Sequence, residues 1–146
     1  MKIQTTAKIL GYAGLIPFVG LAILNYLQIY PNLNIAAALL FYGAIILSFI
    51  GALHWGFGMS LGALSHNEQN WRLIWSVIPA LIAWFALLCP IALCVYLLIT
   101  GFLLQLWQDY RLTRISEANI PDWYFSLRWQ LTLVGTLSLI SVLIRP

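Results

Sequence analysis

Apolar residues along this chain gather into five long blocks, and the polar and turn-forming residues fall between them. The blocks cover residues 9–29, 35–61, 71–88, 91–108 and 125–144. Crossing about 30 Å of hydrocarbon takes roughly 20 apolar residues at about 1.5 Å each, so every block is close to spanning length. The predicted fold class is therefore all-α, a polytopic membrane helical bundle of five transmembrane helices forming a single integral membrane domain over residues 1–146. The first two blocks share a stretch of 59 residues between Lys8 and Glu68 that contains no Asp, Glu, Lys or Arg. That stretch is too long for one span, and Tyr30-Pro31-Asn32-Leu33-Asn34 supplies its turn. The third and fourth blocks meet at Cys89-Pro90 with almost no loop. Read as one helix, Trp71 to Gln108 would be about 57 Å long, nearly twice the hydrocarbon thickness, so a tight hairpin at Pro90 is preferred over a long kinked helix.

Composition agrees with this pattern. Hydrophobic residues make up 62% of the chain and charged residues 8%, with a mean hydropathy of +0.91, against about 25% charged in soluble domains. The first block is longer than a signal-peptide core and has no evident small-residue cleavage site, so it reads as a retained span. With five spans, Lys2, Lys8, Arg72, Arg111, Arg114 and Arg128 fall on the N-terminal side and Arg145 on the other. By the positive-inside rule the N-terminus is cytoplasmic and the C-terminus outside. Four spans would split the basic residues between the two sides. This sidedness accounts for the net charge of +3, so no nucleic-acid partner is implied. Tyr12, Trp71, Trp107, Tyr110, Trp123 and Tyr124 fall near the cytoplasmic interface, and Tyr26 and Tyr30 near the outer one, as aromatic anchors do. Cys89 and Cys94, five residues apart, read as small apolar residues rather than a disulfide or metal pair.

Chemistry centres on His54, about 10 Å inside the second span by helical rise. Ionisable groups at such depth face a bundle interior or a cavity. Gly51 and Gly58 lie on its helical face and Gly62 continues it, forming a small-residue packing face. Two readings of His54 stay open: a hydrogen bond that ties helices together, or a proton relay or ligand contact. Gln105 and Asp109 at the end of the fourth span, and Arg128 near the start of the fifth, fall at the same predicted end of the bundle. An Asp109–Arg128 ion pair is expected, either as an interfacial bridge or as part of a polar pocket. Pro17 and Pro79 lie inside spans and are expected to kink their helices. Ser48, Ser76 and Thr100 can bond to their own helix backbone.

No G-x-S-x-G, H-E-x-x-H, Walker lysine motif or C-x-x-C occurs, and no metal site or catalytic residue is assigned. The absence of these motifs leans against an enzyme. Candidate ligand or proton-site residues are His54, Asp109, Arg128 and Gln105, with Gly51, Gly58 and Gly62 as the packing face. The first expectation is a protein that binds a lipid, quinone or membrane partner subunit through the glycine face and the polar cluster, with no other cofactor. The alternatives are a proton-coupled carrier or channel using His54, and a membrane scaffold or assembly factor, alone or as a homo-oligomer in the bilayer.

Three stretches carry a resemblance: Gly11-Tyr12-Ala13-Gly14-Leu15-Ile16-Pro17-Phe18, then Tyr42 through Gly56 with Leu47-Ser48-Phe49 and His54-Trp55-Gly56, then Pro121-Asp122-Trp123-Tyr124 with Leu127-Arg128. Over nearly the whole chain it resembles the small membrane proteins grouped with human transmembrane protein sixty-nine. The resemblance implies a multi-pass inner-membrane protein of about five helices, of bacterial origin. It brings no activity and no assigned site.

Overall fold

The computed structural model describes residues 3–29, 33–62 and 64–144, with only the backbone of Glu117. Within these residues helices joined by short turns make up the chain, and there is no strand. The first span comprises α1 (Ile3–Ala13) and α2 (Leu15–Leu27), and it is followed by α3 (Ile35–Ser60), α4 (His66–Leu87), α5 (Ile91–Thr113) and α6 (Asp122–Ile144). Five helical stretches of 22 to 26 residues are long and apolar enough to cross a membrane. Their outward faces carry Ile45, Phe49, Leu81, Phe85, Leu103 and Leu137, each more than half exposed. Continuous apolar surface of this kind belongs in lipid rather than water. The protein is a multi-pass membrane protein.

The boundaries shift from those read in the sequence for local reasons. α3 begins after Asn34, whose Oδ1 accepts the Ala37 N–H at 2.9 Å; the rest of the expected turn, Tyr30 to Asn32, lies outside the described residues, as do Lys2 and Arg145. α4 begins five residues before Trp71, because Ser65 caps it by accepting the Glu68 N–H at 3.3 Å. α4 ends at Leu87, and Pro90 stands at the N-cap of α5, so the third and fourth spans form two helices. α5 continues to Thr113, and a short 3₁₀ turn at Ser116–Ala118 lies in the connection to α6.

α3 is the hub, touching α2, α4, α5 and α6 and packing most extensively against α4. Its glycines explain that closeness. A Cβ at Gly51 would stand 2.8 Å from Cβ and Cγ of Pro79 on α4, and one at Gly58 would stand 3.1 Å from the Gln69 carbonyl oxygen and the Leu73 side chain. Gly62 departs from the expected face: α3 ends at Ser60, and Gly62 sits exposed in the following turn with nothing within 4 Å of a Cβ.

The first span breaks at Gly14, three residues before Pro17, with no buried residue in α1. A proline ring crowds the carbonyls one turn before it and removes a helical N–H. The Tyr42 hydroxyl donates to the Gly14 carbonyl oxygen at 2.8 Å, tying the break to α3. Tyr42→Phe is expected to cost about 1 kcal/mol, the usual net value of a hydrogen bond. Unfolding in mixed micelles would measure that loss, together with faster amide exchange around residues 14–18.

Candidate functional site, a buried polar network around Asp109

The buried face of α5 runs through Leu98, Gly101, Phe102, Gln105, Gln108, Asp109 and Leu112, spaced three or four apart as one helical stripe requires. Its first half is apolar and joins the core of Leu39, Leu47, Val95, Leu98 and Leu139. Its second half is polar. The matching ends of α3, α4 and α6 meet it there, each contributing a side chain about six residues, or about 9 Å, from its helix end. These are His54, Arg72 and Arg128.

Asp109 is the centre and has no exposed surface. Its Oδ2 accepts from Arg128 Nε at 2.7 Å. Its Oδ1 accepts from His54 Nε2 at 3.0 Å, from the Tyr124 hydroxyl at 3.0 Å and from Gln105 Nε2 at 3.3 Å. A carboxylate offers about four acceptor positions, so Asp109 is close to saturated. Because a carboxylate only accepts, the proton of the His54–Asp109 contact sits on Nε2.

A second layer secures α4. Trp75 Nε1 donates to Gln105 Oε1 at 2.8 Å, while Gln105 Nε2 also donates to the Ile50 carbonyl at 3.3 Å. Trp71 Nε1 donates to Gln108 Oε1 at 3.3 Å, and Arg72 Nη1 to the Gln108 carbonyl at 3.2 Å. Arg72 is fully buried and reaches Glu68 Oε2 through Nη2 at 3.3 Å. Among the described residues, three buried side-chain polar atoms have no hydrogen-bond partner: His54 Nδ1, Arg72 Nε and Arg128 Nη2.

The structure thus brings His54, Gln105, Asp109 and Arg128 together. The Asp109–Arg128 pair is internal rather than interfacial. Gly51 and Gly58 are turned to α4, so that face is filled from within the chain, and Gly62 is remote from the network. Arg72, Trp71 and Tyr124 join the network although their positions had suggested a charge and aromatic anchors at the interface, and Trp75, which had been given no role, joins it as well. Other aromatic residues do stay outward: Trp107 is half exposed beneath the Arg111 guanidinium, 5.3 Å from the ring centroid, and Tyr26 is half exposed. Among the described residues no group of three His, Cys, Asp or Glu side chains could hold a metal ion. Ser48 and Ser76 hydroxyls donate to the Ala44 and Leu73 carbonyls of their own helices.

Beside the network lies a cavity of about 150 Å³ between the first span and α3, α5 and α6. Its walls are almost entirely apolar, including Phe18, Phe49, Leu53, Phe102 and Leu131, with Arg128 and Thr132 on one side. His54, with no exposed surface, does not line it.

Comparison with known proteins places this arrangement in a family. Residues 3–144 match the family described as Protein of unknown function (DUF3429). The chain belongs to this family. It is also 39% identical over 143 residues to Transmembrane protein 69 of Xenopus tropicalis, covering 94% of this chain and 53% of that protein. The chain spans about half the length of that curated relative. No solved structure matches it.

Proposed function

We propose that this member of the family holds an apolar, membrane-dissolved ligand in the cavity beside Arg128, with the Asp109 network as the rigid wall that fixes the arginine. One observation carries this reading: a largely apolar cavity of about 150 Å³ has in its wall Arg128, a buried arginine ion-paired to Asp109, together with Thr132. A cavity of this size has room for a group of about six carbons, and polar groups in the wall of an apolar pocket fix ligand orientation. The glycine face is occupied by α4, so a partner subunit or second copy would dock on another surface. The sealed setting of His54 favours a tie between helices over a proton path through the bundle.

The orientation we infer has the polar end of the bundle in the cytoplasm. Because Arg72 and Arg128 are committed to the buried network, this rests on Lys2, Lys8, Arg111 and Arg114 against Arg145. A bacterial inner membrane suits a helical bundle, since outer membranes hold closed barrels.

Labelling with a small photoreactive apolar probe, such as an adamantyl diazirine, tests the reading. The expected result is modification concentrated on peptides carrying Phe18, Leu53 and Leu131, and abolished by Leu53→Trp, which fills the cavity. Labelling spread evenly over the lipid-facing helices, or unchanged in Leu53→Trp, overturns it.

A further inference from the structure

The outward face of α5 carries two arginines for which the fold has no acidic counterpart. Trp107, Tyr110, Arg111 and Arg114 follow one another as a single helical stripe, on the side opposite the buried Gln105, Gln108, Asp109 and Leu112. Arg72 and Arg128 are ion-paired to Glu68 and Asp109. Among the described residues, neither Arg111 nor Arg114 meets a carboxylate. The C-terminal end of a helix supplies only about half a negative charge, so positive charge remains in excess there.

Both guanidinium groups are held by their own helix. Arg111 Cζ stands 5.3 Å from the Trp107 ring centroid and Arg114 Cζ 4.9 Å from that of Tyr110. Arg114 Nε and Nη2 donate to the Tyr110 hydroxyl at 2.9 and 2.6 Å. The Tyr110 ring in turn packs against Phe125 of α6, with centroids 5.4 Å apart. Two N–H groups of Arg114 are used in this way, and the remainder of its planar fork is left to donate.

Depth and neighbours select the occupant. α5 has 23 residues, about 34 Å of helix against about 30 Å of hydrocarbon. Arg111 lies in its last turn and Arg114 is its C-cap, which puts both at the boundary where phosphate groups sit. Deeper in the membrane, on the same stripe, Thr100, Leu103 and Leu104 are exposed. A phospholipid meets the charges and the apolar surface at once, whereas an acidic peptide or a free phosphate would meet the arginines alone.

Independently of the cavity, we propose that this end of α5 is a headgroup site for an anionic phospholipid. Its phosphate oxygens accept from Arg111 and Arg114, neighbours on one helix face, and an acyl chain lies along Leu104, Leu103 and Thr100. Guanidinium suits phosphate because its fork offers paired donors. A zwitterionic head brings its own cation to the same place, and that cation opposes the arginines.

Native mass spectrometry of the full chain in detergent, titrated with phosphatidylglycerol and phosphatidylcholine of identical acyl chains, tests the proposal. Phosphatidylglycerol should bind at concentrations about tenfold lower, as basic residues at a membrane surface provide. Arg111→Gln combined with Arg114→Gln, checked for folding by circular dichroism, should remove most of that preference. Lys8→Gln removes a charge at the same end of the bundle from α1, which touches α2 and α6 but not α5, and should leave the preference unchanged. Equal binding of the two lipids by the parent protein overturns the proposal, as does a folded double variant that keeps the preference. A preference abolished by Lys8→Gln also overturns it, because the selectivity would then belong to the summed charge of that end of the bundle. Displacement of phosphatidylglycerol by excess glycerophosphate would overturn it in favour of a soluble anion. The parent, Lys8→Gln and glycerophosphate measurements do not depend on the double variant folding.

Discussion

Asp109→Asn will destabilise the bundle by about 3–5 kcal/mol, the range seen when one partner of a buried ion pair is removed. The substitution conserves shape, so the loss is electrostatic. Arg128, 7% exposed, keeps its charge and loses the negative charge of the carboxylate 2.7 Å from its Nε. His54, Gln105 and Tyr124 meanwhile face an amide in place of the carboxylate whose Oδ1 served all three. Arg128→Gln should cost less, because Asp109 retains those three donors. His54→Gln should cost least of the three, since a glutamine amide can still donate.

The pair should also be strongly non-additive. Asp109→Asn combined with Arg128→Gln removes both charges and should recover at least half of the loss caused by Asp109→Asn alone, because the dominant cost is an unmatched charge in a dry interior. Unfolding by sodium dodecyl sulfate in mixed micelles, followed by circular dichroism, measures all four proteins. A double variant whose loss equals the sum of the two single losses would show that Asp109 and Arg128 act independently, against the geometry.

This network is also where sequence and structure part company most instructively. Assigning spans and counting inward from their ends brought His54, Asp109 and Arg128 to one end of the bundle, because alternating spans and helical rise convert sequence position into side and approximate depth without knowledge of packing. Gln105 follows from Asp109 by one turn. The same counting failed for Arg72, since the third span was started at Trp71, where the apolar run begins, and this put the arginine at the surface. Ser65-His66-Asn67-Glu68 carried the missing signal: a serine followed by a glutamate three residues on marks a helix start, and it moves Arg72 a turn and a half inside. Tyr124 carried no such signal, because an interfacial anchor and a donor to a buried carboxylate have the same sequence pattern. Gly62 was lost for the opposite reason, a helical period carried beyond the residue at which α3 ends. Five spans were legible because hydrophobic length is set by the bilayer, whereas the identity of each contact is set by how helices rotate against one another.

The second large effect lies at the contact that sets such a rotation. Gly51→Ala should destabilise the protein by about 1–3 kcal/mol, as overpacking of a close-packed interior does. The added methyl would meet Pro79 Cβ and Cγ at 2.8 Å and its Cδ at 3.2 Å. A proline ring is fused to its backbone and cannot swing aside, so α3 and α4 would have to separate. That separation would loosen the Trp75–Gln105 and Arg72–Gln108 bonds one and two turns away, which hold α4 to α5. Gly101→Ala is a sharper case on distance alone, with Leu47 Cδ2 at 2.5 Å, yet its obstacle is the end of a flexible side chain that can change rotamer. Gly51→Ala is therefore expected to cost more than Gly101→Ala, while Gly62→Ala, with open space around it, should stay within about 0.5 kcal/mol of the parent as surface substitutions do. The three proteins compared in one mixed-micelle unfolding series give the order directly. An order set by the nearest distance, with Gly101→Ala the worst, would mean that the bundle accommodates a shift of whole helices more readily than a change of one leucine rotamer.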